Sequence, residues 1–236
     1  MNKVFVKTQN VKNFISLMDS LQNKSAGTPK MALVYGEPGL GKTQTALWWA
    51  LKNDAVYVRC ANRMTCRWLL EELVEELGEV PYMRTSDLFK QCAKQLREHP
   101  RIIIVDEIDY LVKESTAIET LRDIHDKTDV PIVLVGMNKE DKKLMRYPHL
   151  FDRISRKLKF ETFSYQDVKT LITQLSEVAM TDCAVKYIHS QANRLRQLVK
   201  FISLAENICC TNGLTTINEK TLKEFANNGT EIAKAG

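Results

Sequence analysis

The stretch Met31-Ala-Leu-Val-Tyr-Gly-Glu-Pro-Gly-Leu-Gly-Lys-Thr43 constrains this chain more than any other. It opens as a short apolar run suited to a buried strand, passes through a glycine-rich loop and continues into a helix. Gly36, Gly41, Lys42 and Thr43 fit the pattern G-x-x-x-x-G-K-[ST]. The spacing has a physical basis. Glycines let successive backbone N–H groups turn inward on a phosphate, and a helix starting at Gly41 adds the positive end of its dipole. Lys42 then reaches the β- and γ-phosphates, while the Thr43 hydroxyl suits Mg²⁺. Gly36, Glu37, Pro38, Gly39, Leu40, Gly41, Lys42 and Thr43 are therefore expected to cradle a nucleoside triphosphate, with ATP and Mg²⁺ as the ligands.

Two further apolar runs end in polar residues. Arg101-Ile-Ile-Ile-Val-Asp106-Glu107 reads as a buried strand that delivers two carboxylates to its C-terminal end, beside the phosphate loop. Asp106 is expected to hold Mg²⁺ through water, and Glu107 to polarise the attacking water. Ile132-Val-Leu-Val-Gly-Met-Asn138 is another such strand. Asn138 at its end could hydrogen-bond the γ-phosphate or the attacking water.

Around these motifs the pattern alternates. Strands are expected near 31–35, 55–59, 101–105, 131–135 and 157–160, with helices near 10–22, 41–52, 64–78, 86–98, 116–127 and 139–146. Such alternation predicts an α/β fold, a parallel sheet flanked by helices. After Phe160 the spacing turns helical, and Ser164 with Asp167 forms a capping-box start for the next helix. We expect residues 1–161 to form an α/β nucleotide-binding domain and 162–236 a small helical lid.

Composition excludes little. The net charge of +5 is compatible with a polyanion partner or with an ordinary solvated surface. No apolar run approaches the roughly 18 residues of a membrane span, and polar residues interrupt any signal-peptide core, so no membrane is expected and a cytoplasmic location is. The six cysteines show no metal-ligand spacing and read as reduced thiols. Trp48-Trp49 must send at least one ring away from the core.

The order phosphate loop, Asp-Glu strand, Asn-ended strand and helical domain resembles the AAA+ ATPases over roughly residues 5–228. The resemblance implies a sensor arginine in the lid. Asn193-Arg-Leu-Arg196-Gln-Leu-Val-Lys is similar to that motif, pointing to Arg196 with Arg194 as the alternative. It also implies an arginine finger acting on a neighbouring subunit. Leu150-Phe-Asp-Arg153-Ile resembles that motif, and Arg146 and Arg156 are possible substitutes.

Finer detail resembles the transposition regulators of the phage Mu B type. It lies in Phe5-Val-Lys-Thr8-Gln-Asn-Val11, the Ala32–Thr43 segment, Val56-Tyr-Val-Arg59-Cys with Met64-Thr65, and Tyr147-Pro-His-Leu-Phe-Asp-Arg-Ile. That resemblance implies an ATP-dependent homo-oligomer, ring or helical filament, on double-stranded DNA, delivering target DNA to a DDE transposase in a bacterial or phage-infected cell. Arg59, Arg63, Arg67, Lys90, Lys94 and Arg97 supply positive charge for phosphate contacts, with Arg63 and Arg67 the candidates for DNA. The same charges could balance Glu71, Glu72, Glu75 and Glu76 on solvated helix faces. A helicase loader or initiator, and a protein-binding switch without DNA, are the competing readings.

Overall fold

A computed structural model describes residues 1–138 and 144–232, with side chains in the last helix as far as Phe225. Most of the helix expected over 139–146 lies outside the described residues. The chain divides into two compact units: Asn13–Phe160, and Met1–Lys12 together with everything from Glu161 onward.

The first unit is built on one sheet. Its elements run α1 (Gln9–Gln22, whose first turn belongs to the other unit), β1 (Met31–Gly36), α2 (Lys42–Lys52), β2 (Val56–Arg59), α3 (Cys66–Glu76) and α4 (Thr85–Glu98). Then come β3 (Ile103–Asp106), α5 (Ser115–Thr128), β4 (Ile132–Gly136), the short α6 (Pro148–Phe151) and β5 (Ile154–Phe160). The strand order is β2-β3-β4-β1-β5, and every pair is parallel. The expected α/β architecture is found. The Asp-Glu strand β3 is separated from β1 by β4.

Successive side chains on a strand face opposite ways, and this sorts the core into two layers. Met31, Leu33, Val56, Val58, Ile103, Val105, Ile132 and Leu134 pack with α3, α4 and α5 on one face. The alternate residues Ala32, Val34, Ile104, Val133 and Val135 pack with α1 and α2 on the other. Burial on both faces explains why these strands read as unbroken apolar runs. Phe14 and Phe160 meet edge to face there, 6.5 Å between centroids, and each contributes about 1.5–3 kcal/mol by burial. Of the tryptophan pair, Trp49 enters this core, while Trp48 stays half-exposed under the Lys52 ammonium.

β5 starts three residues earlier than its apolar spacing suggests. It is an edge strand whose Ser155, Arg156, Lys157 and Lys159 are exposed. Charged side chains protect such an edge from pairing with another chain, and they hide the strand from a reading based on apolar residues.

In the second unit, α7 (Tyr165–Leu175), α8 (Asp182–Gln191), α9 (Leu195–Asn212) and α10 (Glu219–Ile232) enclose a core of Val168, Leu171, Ile188, Leu198, Ile202 and Ile208, joined by Val6. The Ser164–Asp167 capping box forms as expected. Asp167 also accepts from the Gln9 backbone N–H at 2.8 Å, so one carboxylate caps the starts of both α7 and α1. A two-stranded parallel sheet, β6 (Ala179–Met180) with β7 (Thr216–Ile217), has no counterpart in the sequence pattern; strands of two residues leave no periodic signal. Among the described residues, no helix is long and apolar enough to cross a membrane.

Candidate nucleotide-binding site

The loop after β1 owes its course to two glycines. Gly36 pairs with Phe160 across the sheet, and a Cβ there would lie 2.7 Å from the Phe160 carbonyl oxygen. Gly41 has φ 89° and ψ 13°, left-handed values that L residues avoid, and it turns the chain directly into α2. The N-cap residue is Gly41 itself, which has no side chain to accept from the first turn, and a helix start left uncapped in this way suits an anion. Lys42 folds its ammonium over the loop, donating to the Gly36 carbonyl at 2.8 Å and the Glu37 carbonyl at 2.9 Å. Burial pushes the ammonium below its usual pKa, against the opposing pull of Asp106, Asp109 and Glu37. Thr43 is half-exposed in the first turn of α2.

β3 brings Asp106 to the sheet's C-terminal edge, 2% exposed. One oxygen accepts from the Glu107 N–H at 2.8 Å, the other from the Tyr57 hydroxyl at 2.8 Å. Burial first, then Asp106, pushes the Tyr57 hydroxyl far above the tyrosine range, so it remains a donor. Glu107 sits at φ 54° and ψ 41°, a left-handed conformation that costs a non-glycine residue about 1–2 kcal/mol. Its carboxylate pairs with Arg59 at 2.6 Å. Asp109, in the 3₁₀ turn Ile108–Tyr110, accepts from the Met137 N–H with both oxygens at 3.2 Å and ties this loop to the end of β4. Asn138 follows, donating its Nδ2 to the Glu37 carboxylate, while its Oδ1 is buried with no partner among the described residues.

β1, β3 and β4 thus converge Lys42, Thr43, Asp106, Glu107 and Asn138 at one edge of the sheet. Tyr57, Arg59 and Asp109 belong to the same cluster, and sequence reasoning misses them. Arg59 reads as one more positive charge, and only the β2–β3 register, Arg59 opposite Asp106, reveals its partner. For Asp109 a signal is present, as a third acid in Asp-Glu-Ile-Asp.

The remaining candidates lie elsewhere. Arg153 is at the opposite edge, where its carbonyl accepts from the Met31 N–H at the start of β1. Strand rise alone separates it from Gly36 by roughly 16 Å. Asp126 on α5 holds its guanidinium with two bonds, 3.2 and 3.0 Å, and raises its pKa. Arg146 and Arg156 are exposed. Arg194 and Arg196, in the second unit, are exposed and have no ion-pair partner among the described residues. Of the basic groups considered for DNA, Arg67 pairs with Glu71 at 2.7 Å and donates to the Met83 carbonyl. Lys90 and Lys94 have the acids Asp87 and Glu98. Arg63, exposed at φ 65°, has no ion-pair partner among the described residues.

Comparison with known proteins gives this geometry a family. The AAA domain model matches residues 24–144, more than half of the chain and the whole segment from before β1 through β4. The ATP-dependent target DNA activator B of Escherichia phage Mu is 29% identical over 180 residues, covering 71% of this chain and 54% of the phage protein. The chain therefore spans about half the length of that relative. An ORC1-type DNA replication protein 1 from Archaeoglobus fulgidus is 27% identical over 176 residues, 66% of this chain and 43% of the archaeal one. Among solved structures, the Aeropyrum pernix ORC2 protein superposes with a TM-score of 0.74 at 16% identity, covering 95% of this chain and 70% of that one. A phosphate loop, a buried acid pair and an interposed Asn-ended strand, on a sheet of this order, make the chain an ATPase that belongs to the AAA family.

Proposed function

We propose that this ATPase is an ATP-switched assembly that binds duplex DNA without regard to sequence and presents it as a target to a transposase. The observation that carries the reading is similarity over 71% of the chain to a protein named ATP-dependent target DNA activator B. In this reading ATP lies along residues 36–43, with its β- and γ-phosphates taking the Lys42 ammonium and the N–H groups that open α2. Thr43 and Asp106 fit Mg²⁺, being hard oxygen donors, and both Asp106 oxygens are already oriented by hydrogen bonds. When bound, the ion would neutralise phosphate charge. Glu107 takes a proton from the attacking water once its carboxylate leaves Arg59.

Arg153 stands too far along β1 to reach its own chain's phosphates. It acts as a finger on a neighbour's nucleotide, so hydrolysis depends on assembly. The helical segment 162–236 serves as a lid, with Arg196 as its sensor. DNA is held through its phosphates by Arg63 and by Arg67 once freed from Glu71. Each contact is weak, and only an oligomer aligns enough of them. The ORC1-type relative favours a second reading, an initiator-like ATPase.

The test is duplex binding with a non-hydrolysable ATP analogue, on unrelated sequences and across a salt series. Nucleotide-dependent binding, indifferent to sequence and falling steeply with salt, is expected. Indifference to duplex DNA even at low salt sinks the reading, and a strong sequence preference transfers it to the initiator class.

A further inference from the structure

Lys42 and Asp106 carry opposite charges on one face of the sheet and do not pair. Asp106 follows Ile104 by two residues on β3, and alternate residues of a strand share a face. Ile104 packs in the layer that holds α1 and α2, so the Asp106 carboxylate is directed to the side where Lys42 opens α2. Of the acids around the Lys42 ammonium, Asp106 acts on it most strongly. Lys42 nevertheless donates to the Gly36 and Glu37 carbonyls and has no ion-pair partner among the described residues. Attraction between opposite charges grows as water is excluded, so something must hold these two apart. The hydrogen bonds of Asp106 do so. Its Oδ1 accepts from the Glu107 N–H and its Oδ2 from the Tyr57 hydroxyl, each at 2.8 Å. Tyr57 is the one side chain that holds this carboxylate among the described residues, and its ring is half-buried against the same α1–α2 layer.

We infer that Tyr57 is a positioning residue: its hydroxyl holds the Asp106 carboxylate off Lys42, which leaves the ammonium free to meet phosphate. Without that hydroxyl, Oδ2 loses its donor, and the Lys42 ammonium is the nearest replacement in charge. A bond charged on both partners is stronger than one from an ammonium to a neutral carbonyl. The carboxylate therefore closes on Lys42, and an incoming triphosphate has to break that pair before it can bind. The inference rests on the nucleotide placement proposed above.

Equilibrium binding of a fluorescent ATP analogue, with EDTA present, tests it free of any metal contribution. Tyr57→Phe keeps the ring and its packing and removes only the hydroxyl. It should weaken nucleotide binding about tenfold, the size expected when one charge-assisted bond must first be broken. Asp106→Asn removes the charge that closes on Lys42. On that background the Tyr57→Phe change should therefore alter affinity by less than about twofold, a non-additivity that general loosening of the fold does not produce. Wild-type affinity in Tyr57→Phe overturns the inference. So does a loss of the same size on the Asp106→Asn background, because it then does not come from that carboxylate. Lys42→Ala tells this apart from failure of the nucleotide placement. If that variant binds the analogue like wild type, the phosphates do not lie on Lys42, and the placement falls together with what rests on it.

Discussion

The two ends of the five-stranded sheet treat charge in opposite ways. At the N-terminal end, charged and polar groups satisfy one another. Lys30 pairs with Asp129 at 2.6 Å, and Arg153 grips Asp126 with two bonds. His125 is buried with both ring nitrogens engaged: Nε2 accepts from the Lys30 N–H at 3.4 Å and Nδ1–H donates to the Val130 carbonyl at 2.9 Å. At the C-terminal end the same kinds of groups are held in tension. The Lys42 ammonium is depressed by burial, Glu107 is in a left-handed backbone conformation, and Asn138 Oδ1 lacks a partner among the described residues. Strain of this kind persists where the surrounding fold over-determines it, and it collects where ligands bind. One end pairs its charged groups, and the other holds them by burial and by a strained backbone.

Arg153 is the residue that could break this contrast, since it belongs to the satisfied end yet resembles a finger. Arg153→Ala should reduce turnover of the assembled protein by about 10³ while shifting unfolding by no more than about 1 kcal/mol, as for an exposed pair. Denaturant titration beside an ATPase assay separates the two effects. Unchanged turnover would confine Arg153 to tying α5 to β5. Glu107→Gln probes the strained end directly. Hydrolysis should fall by a factor on the order of 10² while ATP still binds. Loss of nucleotide affinity instead would mean that Glu107 organises the pocket and does not act on water.

Two smaller effects sharpen the contrast from the side of stability. Gly36→Ala forces a Cβ to within 2.7 Å of the Phe160 carbonyl. It should cost about 2 kcal/mol, read as a fall in Tm of roughly 4–8 °C. Asp129→Asn keeps a residue tolerant of φ 58° but removes the partner of buried Lys30. Asp129 is partly exposed, so the loss should be about 1 kcal/mol, with hydrolysis unaffected. Lys30 holds the Asp129 carboxyl below its ordinary pKa. A carboxyl lowered on folding stabilises above its unfolded pKa, and that contribution disappears as pH falls through the lower folded value. The gap between wild type and Asp129→Asn should therefore be full at pH 7 and close progressively below about pH 4. A gap that does not narrow at all as pH falls below about 4 would assign the effect to something other than charge.

Much of the strained end is legible in the sequence. Lys42, Asp106, Glu107 and Asn138 each stand where a local pattern ends, and a pattern that ends abruptly is visible in one dimension. The satisfied end is not legible in this way. His125 and Lys30, or Asp126 and Arg153, are far apart in sequence and belong to no repeat, so nothing local announces their pairing. The same holds for Tyr57 and Arg59, whose roles follow from the register of β2 on β3.

By itself the sequence determined the elements and the chemistry types. Apolar runs bounded by glycine and carboxylates specify buried strands and what stands at their tips, because burial and backbone geometry act within a few residues. Tertiary structure decided adjacency. It placed β4 between β1 and β3, turned Glu37 toward Asn138, gave Arg59 to Glu107, and set Arg153 at the end of the sheet away from the phosphate loop. Parallel pairing joins segments distant along the chain, and the hydrogen bonds and ion pairs it creates depend on register, which no single strand encodes.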